Sequence, residues 1–108
     1  EGYATALSIK AALTGICVRA RVTCCFSAAN VAEVASKRRR AMIFTDNDKP
    51  IPQFGGFGTG EYFARRTGLL WTMPPQVGTD ANDVHLSSGL PALQGLLLDL
   101  MQRRQCAA

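Results

Sequence analysis

Two aspartates separated by one residue form the pattern in this chain that is most suggestive of chemistry. Residues 41–48 read Ala-Met-Ile-Phe-Thr-Asp-Asn-Asp, an apolar run that ends in Asp46 and Asp48. Such a run is typical of a buried strand, and side chains at positions i and i+2 of a strand point to the same side. Two carboxylates held this close repel each other unless a cation lies between them, and Mg²⁺ prefers oxygen ligands. The pattern therefore predicts a metal site. A plain strand-to-turn junction is the alternative, because Asp and Asn favour turns.

A second group of polar side chains follows a later apolar run. Residues 69–73 are predicted to form a strand that Pro74 and Pro75 end, and the next segment contains Asp80, Asn82, Asp83 and His85. The carboxyl ends of parallel strands meet at one edge of a sheet, so this group could approach the same crevice as the first aspartates. The alternative is that Asp80 or Asp83 caps a helix while His85 lies on the surface.

The basic residues are clustered. The chain has 12 Lys and Arg against 8 Asp and Glu, and two clusters consist of Lys37, Arg38, Arg39 and Arg40, and of Arg65 and Arg66. Such clusters can follow a phosphate backbone, whereas the alternative for each is a solvated helix C-terminus favoured by the helix dipole. The first cluster precedes the strand that leads to Asp46. We therefore expect it to attract nucleic acid from the far edge of the sheet without direct template contact.

Composition indicates one ordered domain over residues 1–108, with a polar tail at residues 103–108. Hydrophobic residues make up 47% of the chain, which argues against disorder, and no apolar run approaches the ~18 residues that a membrane span needs. The four cysteines include no C-x-x-C pair, and His85 is the one histidine, so a zinc site is not indicated. We expect reduced thiols, no membrane partner and a cytoplasmic location.

Helical and strand patterns alternate along the chain. Strands are predicted over residues 16–26, 41–45 and 69–73. Helices are predicted over residues 2–13, from Asn30 (with Glu33 completing a capping box), over 59–67, and from about Pro91 with a core stripe of Leu93, Leu96, Leu97, Leu100 and Met101. The Gly-rich segment 54–60 lacks the ending of a phosphate-binding loop and is predicted to be a flexible connection. The alternation predicts an α/β fold with a parallel sheet, in which the strand leading into Glu1 is expected to lie before residue 1.

Several segments together resemble the toprim domain of phage- and plasmid-type primases. Glu1-Gly2-Tyr3-Ala4-Thr5-Ala6-Leu7 is similar to the first toprim motif, E-G-x-x-T-A-L, and Asp46-Asn47-Asp48 is similar to the second, D-x-D. Residues 26–31 resemble a segment of those primases that often reads S-A-G-N-L. Residues 74–85 resemble the P-P-x-G-x-D-x-N-D-x-H ending of their toprim domains.

The resemblance implies a compact parallel sheet of about four strands flanked by helices. It also implies that Glu1, Asp46 and Asp48 are the catalytic residues and bind Mg²⁺ or Mn²⁺, with the polar group at residues 80–85 in a secondary role. The implied function is RNA primer synthesis on single-stranded DNA as part of a replication protein of a mobile element, which would bring DNA and nucleotides to the site and work with a helicase domain or partner. An isolated domain is expected to be weakly active or inactive. A toprim nuclease and a non-catalytic interaction domain are the alternatives.

Overall fold

Helices cover both faces of a small parallel sheet in the computed structural model, which describes residues 2–38 and 40–107 without the side chains of 105–107. Strands β1 and β2 pair in parallel, with Ile43 opposite Trp71 and Phe44 opposite Thr72. The elements in chain order are α1 (Tyr3–Gly15), α2 (Ala28–Ser36), β1 (Ile43–Phe44), a 3₁₀ turn (Pro52–Phe54), α3 (Thr59–Arg66), β2 (Trp71–Thr72), α4 (Ala81–Ser88) and α5 (Leu90–Ala107).

The apolar core has one part on each face of the sheet. On the first face, α1, α4 and α5 bury a cluster against which Phe44 packs. On the other face, α2 and α3 bury Ala35 and Ala64 around Ile43. Successive strand residues therefore serve opposite layers, as the pleat requires. The stripe predicted for α5 is confirmed, since Leu93, Leu97 and Leu100 are buried and Leu96 and Met101 pack against the first cluster.

The sheet is smaller than the sequence predicts, because the described residues form two strands and not about four. The strand predicted over residues 16–26 is not formed. Helix α1 runs to Gly15, Cys17 takes a positive φ of 58°, and residues 18–25 continue as irregular chain. Two side chains hold this segment: Lys10 Nζ donates to the Ala20 carbonyl at 3.4 Å and Asn30 Nδ2 to the Cys25 carbonyl at 3.3 Å. A β-forming sequence without a neighbouring strand to pair with stays irregular.

Two helix starts also differ from the sequence prediction. Ser27, and not Asn30, caps α2, because the Ser27 hydroxyl accepts a hydrogen bond from the Asn30 backbone N–H at 3.2 Å. Residues 81–88, predicted to be part of a polar loop, form α4, and Gly89 with a φ of 86° separates this helix from α5. No helix in the described part of the chain is long and apolar enough to cross a membrane.

Gly95 offers a simple gain in stability. It lies in the interior of α5, is exposed, and an added Cβ would meet no atom within 4 Å. We expect Gly95→Ala to raise the free energy of unfolding by about 0.5–1 kcal/mol, because glycine loses more backbone entropy than alanine in a helix. Urea denaturation measures this change. Gly89→Ala is the matched control and should lower stability, since the φ of 86° disfavours any residue with a Cβ.

Candidate functional site

Asp46 and Asp48 lie directly after β1, where the sequence predicts them. The backbone stays extended beyond the strand, because Thr45 N donates to the Thr72 carbonyl at 3.0 Å and Asn47 forms an antiparallel bridge with Thr79. Asn47 is buried, whereas the aspartates on either side of it are half-buried, which is the alternation of an extended segment. The two carboxylates therefore lie on one side of the chain, and the Asp46 Oδ1 atom is buried there.

Asn47 joins the loops that follow the two strands. Its backbone N–H donates to the Thr79 carbonyl at 2.9 Å and its carbonyl accepts from Gly78 N at 2.6 Å. Its side-chain Nδ2 donates to the Pro74 carbonyl at 2.8 Å in a buried position. These bonds fix the backbone between the two aspartates. Sequence reasoning did not single out Asn47, although an amide between two carboxylates at the end of an apolar run was a usable signal.

Asp48 is held by the start of α3. The Gly60 N–H donates to Asp48 Oδ2 at 2.9 Å, and the positive end of the helix dipole favours a carboxylate at this place. Gly58, which precedes α3, lies so close to the Asp48 backbone that a Cβ there would overlap the Asp48 carbonyl oxygen. Glycine is therefore required at position 58 for close approach, and α3 orients one of the two site carboxylates.

The segment predicted to be a flexible connection, residues 54–60, is instead tied into the fold. Ile51 N donates to the Phe57 carbonyl and Gly56 N to the Ile51 carbonyl, both at 3.2 Å. The Phe54 ring stacks on Tyr62 of α3 with centroids 4.3 Å apart. These contacts correct the prediction. The glycines allow a compact turn whose packing partner, an aromatic residue one helix away, is not visible in a local reading of the sequence.

Asp80 and Asp83 act as a helix cap. Asp80 Oδ1 accepts from the Asp83 backbone N–H at 2.9 Å, and Asp83 Oδ2 accepts from the Asp80 N–H at 3.0 Å, which is a complete capping box at the start of α4. Both carboxylates are therefore used for helix initiation. Of the two readings that the sequence left open for these aspartates, the structure shows the capping one.

The capping role of Asp80 is testable. We expect Asp80→Ala to lower the free energy of unfolding by about 1 kcal/mol, because the first turn of α4 loses its side-chain acceptor. Asp80→Ser keeps an acceptor and should recover most of that loss. Thermal melts of both variants measure the stabilities. A loss of Mg²⁺ affinity in either variant, measured by calorimetry, would contradict a purely capping role.

Asn82 and His85 meet a buried serine of α1. Ser8 is 4% exposed; its hydroxyl donates to Asn82 Oδ1 at 3.3 Å and lies 3.2 Å from His85 Nδ1. With the serine proton on Asn82, the histidine Nδ1–H is the donor to the serine oxygen. The structure therefore links these two residues to α1, which follows Glu1 in the chain, and Ser8 is a polar residue of this site that the sequence did not single out for chemistry.

The basic residues lie mainly away from the aspartates. Lys37, Arg38 and Arg40 precede β1, whereas the aspartates follow it, so they occupy opposite ends of that strand. Arg65 and Arg66 come at the end of α3. Arg65 forms an ion pair with Glu61 at 2.7 Å and stacks over the Phe57 ring at 4.7 Å, and Arg66 lies over Tyr62. Both arginines remain exposed. Arg39 lies outside the described residues.

The donor set fits a magnesium ion in part. Asp46 and Asp48 supply hard carboxylate oxygens on one side of the chain, and Mg²⁺ is often bound by one or two carboxylates with water in its remaining positions. Within residues 2–38 and 40–107, no group of three or more His, Cys, Asp or Glu residues could hold a metal. Glu1, the predicted third ligand, lies outside the described residues.

Comparison with protein families decides the family of this chain. A model described as Toprim domain matches residues 1–90. The chain belongs to the Toprim family. Neither the curated proteins nor the solved structures that were compared with it gave a match.

Toprim domains are found in primases, nucleases and topoisomerases, and they generally bind Mg²⁺. The match begins at Glu1 and ends just after α4, so it includes the aspartates after β1 and the polar segment after β2. In this Toprim chain, the carboxylates expected to bind metal are at the carboxyl end of a parallel strand, which is where ligands bind in open α/β sheets.

Proposed function

We propose that this Toprim domain is the Mg²⁺-dependent catalytic domain of a DNA primase-type replication protein. It would contribute to RNA primer synthesis on single-stranded DNA. The observation that carries the proposal is the pair of half-buried carboxylates, Asp46 and Asp48, on one side of the chain after β1, with Asp48 oriented by the Gly60 N–H. Such a pair fits the metal-dependent chemistry of phosphodiester bonds that primases and nucleases share.

Asp46, Asp48 and Glu1 would hold the metal, which is Mg²⁺ or Mn²⁺ in this proposal. The ion would neutralise phosphate charge and position the attacking 3′-hydroxyl. The protein contributes orientation: the start of α3 fixes Asp48, and Asn47 fixes the backbone between the carboxylates by its bonds to Pro74, Gly78 and Thr79. Pre-set ligands of this kind lose little freedom when a metal binds.

Primase chemistry is preferred over the other Toprim activities because of residues 74–85. This segment resembles the ending of primase toprim domains, and Asn47 ties it directly to the site loop. Single-stranded DNA and nucleotides would reach the site in the full-length protein, with a helicase domain or partner, while Lys37, Arg38, Arg39, Arg40, Arg65 and Arg66 would attract nucleic acid by charge.

The test is a primer-synthesis assay on single-stranded DNA with nucleotides and Mg²⁺, using the full-length protein that carries this domain. We expect labelled primers from the native protein and at least about a hundredfold less from Asp46→Asn, Asp48→Asn. Cleavage of labelled DNA without nucleotide incorporation would replace the primase proposal with a nuclease. Biological activity that survives undiminished in the double variant would identify a non-catalytic interaction domain and overturn both catalytic functions.

A further inference from the structure

An apolar cavity of about 650 Å³ lies beside the free edge of β1. Its walls come from α1, residues 18–25, α2, residues 40–44 and α5. The apolar lining includes Ile9, Leu13, Val22, Val31, Leu97 and Leu100. Protein interiors are close-packed and contain few voids larger than a water molecule. A cavity of this size between otherwise packed elements therefore indicates a place for a further structural element.

One wall of the cavity is a sheet edge that has no neighbouring strand among the described residues. Ile43 N and Thr45 N donate to Leu70 and Thr72 on the β2 side. Backbone groups alternate in direction along a strand, so those of Met42 and Phe44 point away from β2. Both of these residues line the cavity. The edge is therefore available to pair with one more strand.

The opposite wall is a segment with the composition of a strand. Residues 18–25 read Val-Arg-Ala-Arg-Val-Thr-Cys-Cys, and all eight line the cavity. The sequence predicts a strand here, yet the structure shows irregular chain. A segment that favours a strand and a free sheet edge thus border the same cavity, which is the arrangement left when the strand between them is missing.

The charges around the cavity have one sign. Five arginines belong to its lining, namely Arg19, Arg21, Arg38, Arg40 and Arg104, and none of the described lining residues is acidic. Arg38 and Arg40 come just before β1, so they lie at the amino end of that strand. An occupant with an acidic residue at this end and apolar residues elsewhere would complement the cavity.

We propose that this cavity receives one β-strand, supplied in cis by the polypeptide directly preceding Glu1. The strand would run parallel to β1, bond to Met42 and Phe44 on one side and to residues 18–25 on the other, and carry a carboxylate at its amino end. Thr5 and Ala6, in the first turns of α1, line the cavity, so the chain enters α1 beside it. A strand followed by α1 then forms a right-handed crossover, the usual connection of parallel strands. The filled groove would give a four-stranded sheet with Glu1 at the carboxyl edge.

The test adds a strand to the unchanged chain. An extension of about six residues, one Glu followed by Val and Ile, is fused before Glu1, and the control extension has the same Glu followed by Gly and Ser. Cys24 and Cys25 line the cavity and Cys17 does not, so maleimide labelling mapped by mass spectrometry reports occupancy with an internal reference. Burial already raises the pKa of the Cys25 thiol, which makes a mildly alkaline pH suitable for labelling.

We expect the apolar extension to slow labelling of Cys24 and Cys25 relative to Cys17 by at least about tenfold and to slow amide exchange at Met42 and Phe44. The Gly-Ser control should leave both rates unchanged. Equal rates with the two extensions would overturn the proposal. The same strand added as a free equimolar peptide should protect far less, and equal protection would overturn the assignment in cis. These readouts do not depend on catalysis, so the proposed function stands or fails separately.

The charge complementarity has its own test. Arg40→Glu should reduce the protection given by the extension that begins with Glu, because two carboxylates then meet at the amino end of the strand. An otherwise identical extension that begins with Lys should restore protection in that variant. Protection that is indifferent to both charges would remove the acidic residue from the proposal.

Discussion

Replacing Asp46 with asparagine is expected to weaken Mg²⁺ binding by at least about tenfold. The substitution keeps the size of the side chain and removes one of the two carboxylate charges on the site side of the chain. Hard divalent cations depend on such charges, and even changes to groups that only support a metal ligand typically cost tenfold or more in affinity. Isothermal titration calorimetry with Mg²⁺ in the millimolar range measures the effect directly.

Asp48→Asn refines this experiment, because Asp48 has two roles. The asparagine Oδ1 can still accept the Gly60 N–H that Asp48 Oδ2 accepts at 2.9 Å, so the start of α3 keeps its acceptor while the charge is lost. Affinity should fall as for Asp46→Asn, with little change in stability. Asp83→Asn removes a carboxylate from the capping box of α4 and serves as the charge-matched control. Unchanged Mg²⁺ affinity in both site variants would exclude these aspartates as metal ligands.

Asn47→Ala is expected to lower the free energy of unfolding by about 1–3 kcal/mol, because the buried Pro74 carbonyl loses its hydrogen-bond donor. The loops after β1 and β2 would then be joined by the backbone bonds of residue 47 alone. Since the same backbone sets the spacing of Asp46 and Asp48, Mg²⁺ affinity should also fall. Urea denaturation measures the first effect and calorimetry the second.

The matched control for this substitution is Asn30→Ala. Asn30 also donates from its side chain to a carbonyl, that of Cys25 at 3.3 Å, but in an exposed position. Its removal should change stability by no more than about 0.5 kcal/mol, because water can replace an exposed partner. If the two variants lose the same stability, the buried bond to Pro74 has no special role in the site.

Local sequence patterns predicted the site better than they predicted its surroundings. The apolar run before Asp46 predicted both a strand and its end, and the leucine spacing in α5 predicted which face is buried, because these features depend on neighbouring residues. The partner of Asp48 was missed, since the Gly60 N–H becomes available only where the turn at residues 55–58 folds back on the strand end. The capping box of Asp80 and Asp83 was one of two open readings, and the fold of α4 decided between them.

The sequence by itself determined the α/β class, the positions of the two strands and the pair of aspartates after the first of them. Period and composition carry this information within a few residues. The tertiary structure decided what those residues touch: Asn47 on Pro74, Asp48 on Gly60, Ser8 on Asn82 and His85. It also decided that residues 18–25 remain irregular in spite of a strand-forming sequence. A strand is stable only when a neighbour pairs with it, and the presence of a neighbour is a property of the whole fold.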